Sequence, residues 1–124
     1  MRTAEIRVAV IGAGSWGTTV ASLAAVNTPT TLWARRTELV DTMRTSRENP
    51  EYLAGFALPE SLGLTDSIEA AVATADVLVM AVPSHGFRAI ARQAAPLLRP
   101  WVPVVSLSKG LEAGSLMRMT EVAA

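Results

Sequence analysis

The amino-acid sequence predicts an α/β fold, an open parallel sheet that is doubly wound. Three observations lead there. Short, apolar, mostly β-branched runs recur along the chain. Segments with helical spacing of apolar residues separate them. Glycine, proline or a capping residue marks most of the changeovers. Strands alternating with helices imply right-handed crossovers and hence parallel pairing.

The elements follow in order. Ile6 to Ile11 suits a strand buried on both faces, and Gly12 stops it. Ser15 to about Val26 reads as a helix, with Trp16, Val20, Leu23 and Ala24 near helical spacing; Asn27-Thr28-Pro29 ends it. Thr30 to Ala34 is a second strand. Thr37 to about Arg47 is a second helix, with Thr37 as its expected N-cap. Asn49 to Leu64 reads as a long loop holding Pro50, Gly55, Pro59 and Gly63 and the only tyrosine, Tyr52; a loop this long in a compact domain points to function. Gly63-Leu64-Thr65 is a short strand, and Ser67 to about Thr74 a short helix capped by Ser67. Asp76 to Val82 is the most hydrophobic run and the expected central strand, ended by Pro83. Ser84 is the expected N-cap of a helix through about Leu98. Pro103 to Leu107 is a further strand, Lys109-Gly110 a turn, and Ser115 to Ala124 the opening of another helix.

Composition narrows the function. The 124 residues make one domain, half hydrophobic and 18% charged, which excludes a disordered chain. Eleven basic residues balance eleven acidic ones. Zero formal charge argues against nucleic-acid binding by phosphate neutralisation and against a polybasic membrane anchor. No cysteine is present, which removes thiolate nucleophiles and zinc–thiolate sites, and one histidine cannot make a multi-histidine metal site. The apolar stretch at Ile6–Ile11 is too short for a membrane span, and no targeting signal is visible, so a soluble cytoplasmic protein is expected.

In open parallel sheets, ligands sit beyond the carboxyl ends of the strands, where strand order reverses. That rule selects residues 12–17, 35–36, 49–59, 83–87 and 108–110. The first of these, Gly12-Ala13-Gly14-Ser15-Trp16-Gly17, matches G-x-G-x-x-G between a strand and a helix, the context that makes the pattern a dinucleotide fingerprint and the fold a Rossmann fold. Gly12 allows the tight turn, Gly14 lets backbone approach a pyrophosphate, and Gly17 lets helix and strand pack closely. The helix N-terminus then faces the anion. At the end of the second strand, where NAD binders often carry an acid for the ribose 2′-OH, the chain has Arg35-Arg36. A guanidinium there pairs with a 2′-phosphate or stacks on adenine, which implies that NADP is accepted without implying that NAD is refused.

Taken together, Gly12–Thr18, Leu32-Trp33-Ala34-Arg35-Arg36, Asn49-Pro50-Glu51-Tyr52-Leu53, Val82-Pro83-Ser84-His85 and Val105–Glu112 closely resemble the N-terminal half of bacterial NAD(P)-dependent glycerol-3-phosphate dehydrogenase. The resemblance runs from about Arg7 to Met119. It implies hydride transfer between dihydroxyacetone phosphate and sn-glycerol 3-phosphate, serving glycerophospholipid synthesis. It places cofactor contacts at Ser15, Trp16, Arg35, Arg36, Tyr52 and Lys109, with Lys109 also reaching the substrate. Pro83 and Phe87 stand where the family flanks the nicotinamide, although Phe87 equally suits a core-facing helix position. His85 suits a hydrogen-bonding role at a helix N-terminus better than catalysis, since the family's base is a lysine in its helical half. No catalytic residue is assigned within the chain, and no metal is implied. The resemblance further implies one truncated Rossmann domain over residues 1–124, with the helical substrate and catalytic domain beyond Ala124, and a homodimer as a possible assembly. Two features depart from the family: Asn27-Thr28-Pro29 replaces a glycine-containing turn, and Tyr52-Leu53-Ala54-Gly55 replaces Tyr-Leu-Pro-Gly.

Overall fold

A computed structural model describes residues 6–107, including every side chain except those of Ser84 and His85. The apolar runs form five strands: β1 (Val8–Ile11), β2 (Thr30–Trp33), β3 (Gly63–Thr65), β4 (Val77–Met80) and β5 (Val104–Ser106). They make one sheet in the order β3-β2-β1-β4-β5, parallel at every pairing. The chain adds β2 and β3 on one side of β1, then crosses to add β4 and β5 on the other. The reversal therefore falls between β1 and β4, whose ends are flush, with Ile11 opposite Met80 and also opposite Trp33.

Helices cover both faces, and alternate residues of β1, β2 and β4 feed two cores. Val10, Leu32 and Val79 pack under α1 (Ser15–Asn27) and α2 (Thr37–Ser46), with Leu39, Val40 and Met43. Ala9, Ile11, Leu78 and Met80 pack under α3 (Ile68–Val72) and α4 (Ser84–Ala94), with Val72, Phe87 and Ile90. A 3-10 turn, Ala95–Leu97, continues α4. This two-sided burial is why β1 and β4 read as continuous apolar runs rather than alternating ones.

Several sequence expectations shift. Helix α1 buries Gly17, Thr18, Ala21 and Ala25 and leaves Trp16, Leu23 and Val26 about two-thirds or more exposed. The cause is distance. A Cβ at Gly17 would lie 1.9 Å from the Gly12 carbonyl oxygen and 3.1 Å from the Ala81 Cβ, so the first turn rests almost directly on the strand ends. Only small residues fit along such a contact, and the larger ones turn outward. Two caps move by one residue: Arg36 and Pro83, not Thr37 and Ser84, occupy the N-cap positions of α2 and α4. The Thr37 hydroxyl instead donates to Asp66 Oδ2 at 2.6 Å. Ser67 does cap α3, its Oγ accepting from the Ala70 N–H at 3.1 Å.

At the opposite end of the sheet, Asp76 ties β4 to β1 and to the segment before β5. Its carboxylate accepts from the Arg7 N–H at 2.8 Å and from Arg99 Nη2 at 2.8 Å. The Arg7 hydrogen bond, then that from Arg99, hold the Asp76 carboxyl below its ordinary range.

Two outcomes follow for stability. Gly17→Ala must force α1 off the strand ends, and a cost of at least about 1–3 kcal/mol is expected in urea unfolding. Asp76→Asn should lower the thermal midpoint at pH 7. Because the folded pKa is depressed, the wild-type advantage is present above about pH 4 and is lost as pH falls through the folded value. Midpoints of the two proteins measured from pH 7 down to pH 3 should therefore converge.

Candidate functional site

The reversal between β1 and β4 opens a cleft of about 880 Å³ at the carboxyl ends of the strands. The turn leaving β1 forms one wall. The Gly12 N–H bonds the Trp33 carbonyl at 3.0 Å and the Ala81 N–H bonds the Ile11 carbonyl at 2.8 Å, so the sheet ladder runs to the edge of the turn. Gly12 then takes φ +118°, a region that favours glycine, with its Cβ direction blocked by the Ala81 carbonyl oxygen at 2.6 Å. The chain can only reverse sharply into α1.

Gly14 differs from its two neighbours in the fingerprint. It is the N-cap of α1, in extended conformation, and a Cβ there would meet nothing among the described residues within 4 Å. Packing among the described residues thus accounts for Gly12 and Gly17 but not for Gly14, which lines the cleft. No side chain caps the α1 N-terminus, and its first turn carries no acid. The leading N–H groups and the positive helix end are left to an anion.

The opposite wall comes from β2 and α4. Arg35 and Arg36 line it beside Leu39; Pro83, Gly86 and Gln93 line it from the other side. Trp33 contributes from beneath. It is 5% exposed, and its indole N–H has no acceptor among the described residues. Arg36 Nη1 donates to Glu51 Oε1 at 2.6 Å, and Arg36 Nε stands 3.9 Å from Glu38 Oε2. The hydrogen bond to Glu51, reinforced by its charge, holds the Arg36 guanidinium above its ordinary pKa.

The long loop reaches the cleft through a clamp that sequence reasoning missed. Asn49 is fully buried. Its Nδ2 donates to the Ala13 carbonyl at 2.8 Å and to Thr18 Oγ1 at 2.9 Å. Its Oδ1 accepts from the Tyr52 N–H at 3.2 Å, and its carbonyl accepts from the Leu53 N–H at 2.9 Å. Ser15 adds a second tie, its hydroxyl donating to the Tyr52 carbonyl at 2.8 Å. Loop, glycine turn and first helical turn are one hydrogen-bonded unit, and Tyr52 lines the cleft because of it. An asparagine beside a proline carries little sequence signal. Its role rests on partners 31 and 36 residues away.

Of the residues expected at the site, Gly12, Gly14, Ser15, Trp16, Gly17, Arg35, Arg36, Tyr52 and Pro83 all line this one cleft. Trp16 is exposed beside it rather than packed under α1. Phe87 is not brought there: it has no exposed surface and packs in the core beneath α4, the second of its two readings. His85 lies in the first turn of α4, and its side chain is outside the described ones. Lys109 lies outside the described residues. Among the described side chains, the only titratable groups lining the cleft are Arg35, Arg36 and Tyr52. No described helix is long and apolar enough to cross a membrane.

Residues 7–124 match the family model for the NAD-dependent glycerol-3-phosphate dehydrogenase N-terminus. The chain belongs to this family. It is 52% identical over 118 residues to a glycerol-3-phosphate dehydrogenase [NAD(P)+] of Sphingopyxis alaskensis, covering 95% of this chain and 35% of that one. A relative from Mycobacterium avium is 50% identical over 119 residues, with the same coverage. The crystal structure of glycerol-3-phosphate dehydrogenase from Coxiella burnetii superposes with a TM-score of 0.89 at 30% identity, covering 97% of this chain and 37% of that one. The chain thus spans about a third of the length of these relatives.

The clamp can be tested by its removal. Asn49→Ala leaves the buried Ala13 carbonyl without the Asn49 donor and Thr18 Oγ1 without this partner, and a loss of about 1–3 kcal/mol is expected in urea unfolding. The same variant should speed proteolysis between residues 49 and 59, read by mass spectrometry under native conditions.

Proposed function

We propose that this chain binds NAD or NADP in the cleft between β1 and β4, as the cofactor-binding part of an enzyme interconverting dihydroxyacetone phosphate and sn-glycerol 3-phosphate. The observation that carries this reading is the open space at Gly14, next to the uncapped N-terminus of α1 and across from Arg35 and Arg36. A pyrophosphate needs N–H donors and close backbone approach; this turn offers both. Membership of this family supports the reaction.

In this reading Gly12, Gly14 and Gly17 shape the turn, and the first-turn N–H groups of Ser15 and Trp16 hold the pyrophosphate. Arg35 and Arg36 hold the adenosine end, with a 2′-phosphate accepted when present. Trp16 and Tyr52 cover the cofactor, and Pro83 flanks the nicotinamide. A bound nicotinamide supplies the hydride. The chain's own task is to orient it and keep water from one face, and orientation of reactants is worth up to about 7–11 kcal/mol of barrier. Lys109, in the segment after β5, offsets the charge of the phosphorylated substrate or of a developing alkoxide. Proton transfer at the substrate oxygen needs a positioned acid–base group. The family resemblance assigns that group to the helical half of the enzyme. The same reading places the protein in the cytoplasm, as a homodimer supplying the glycerophospholipid backbone.

Quenching of tryptophan fluorescence during NADH and NADPH titration tests binding, with Trp16 as the reporter. Gly14→Ala should keep the fold, since nothing among the described residues meets the added methyl. It should weaken both nucleotides by roughly tenfold, the cost of a methyl forced into a filled contact. Equal affinity in the variant rejects the pyrophosphate site. Oxidation of NADPH dependent on dihydroxyacetone phosphate tests the reaction. Binding without turnover assigns this chain to a cofactor-binding module alone.

A further inference from the structure

One acidic side chain in the cleft region has no task in the function proposed above. Glu51 follows Pro50 on the clamped loop, between the buried Asn49 and the cleft-lining Tyr52. Asn49 and Ser15 both fix the backbone on its far side, at Tyr52. The loop therefore delivers the Glu51 carboxylate to Arg36 from a built position, at 2.6 Å. Glu38, from the first turn of α2, adds a second and more distant carboxylate at 3.9 Å. Arg35, the other guanidinium of the cleft, has no ion pair among the described residues. Among the described residues, one of the two cations at the end of β2 is thus already paired with carboxylates and the other is not.

We infer that Glu51 is a specificity-determining residue that lowers the preference of this site for a 2′-phosphorylated dinucleotide over its 2′-hydroxyl counterpart. The inference rests on the cofactor site proposed above. A 2′-phosphate is dianionic at neutral pH and seeks bidentate pairing with a guanidinium. To engage Arg36 it must displace the Glu51 carboxylate, and it then stands near that carboxylate as a like charge. A 2′-hydroxyl carries no charge and makes no such demand, so the Arg36–Glu51 pair survives its binding. The pair is partly exposed, with side-chain exposures of 53% and 41%, so the effect is moderate.

The test is a set of fluorescence titrations of the full-length protein with NADH and with NADPH at fixed ionic strength, for wild type and Glu51→Gln. The variant keeps side-chain volume and leaves the Asn49 hydrogen bonds in place. Its affinity ratio, NADPH over NADH, should rise by about two- to fivefold, most of it from tighter NADPH binding. Glu51→Ala should move the ratio in the same direction. A merely structural role for Glu51 in holding the loop would change both nucleotides by the same factor and leave the ratio fixed. An unchanged ratio, or a shift toward NADH, overturns the inference while the cofactor site stands. Failure of the wild-type protein to bind either nucleotide overturns the cofactor site and the inference together.

Discussion

The whole arrangement depends on how closely the first helix approaches the sheet. At Gly17 the backbone of α1 lies where a single methyl group would overlap the Gly12 carbonyl. That contact aims the helix N-terminus at the carboxyl ends of β1 and β4, and nothing larger than hydrogen fits between them. It also dictates the rest of α1. A helix held this close buries Thr18, Ala21 and Ala25, and its bulky residues face outward. The burial that stabilises this face comes largely from alignment and small-residue packing, and it is bought with sequence freedom at positions 12 and 17.

A second constraint builds outward from the first. The turn exposes the Ala13 carbonyl toward the protein side, where water is excluded and an unpaired acceptor is costly. Asn49 meets that need with one amide hydrogen and meets Thr18 with the other, while its oxygen holds the next turn of the loop. Cleft shape and loop position are therefore settled by the same side chain. Glu51, on the loop so held, meets Arg36 at the N-cap of α2.

The central strands were readable from sequence because they are buried on both faces and therefore announce themselves as apolar runs between breakers, whereas Val104 and Val105 of β5 are exposed. The glycine turn was readable because close approach leaves one residue type to choose from. Arg35 and Arg36 were readable because the fold places the end of the second strand at the cleft. Three features were not. The buried face of α1 contradicts its apolar spacing, since Trp16, Leu23 and Val26 point away from the sheet for want of room. The N-caps of α2 and α4 fall one residue early, where Thr37 finds Asp66 instead of its own helix. The Asn49 clamp and the Glu51 pair join residues far apart in sequence, and neither partner has a spacing that names the other.

The clamp also joins energies. Because Asn49 contacts both the turn and the loop, any molecule that steadies the turn also steadies the loop. Occupancy at the α1 N-terminus would be felt at the Tyr52 and Leu53 amides as slower hydrogen exchange. The reverse also holds by linkage: a loop held in place beforehand spares an incoming ligand the entropy of ordering it. The ordering cost of the cleft is thus met during folding.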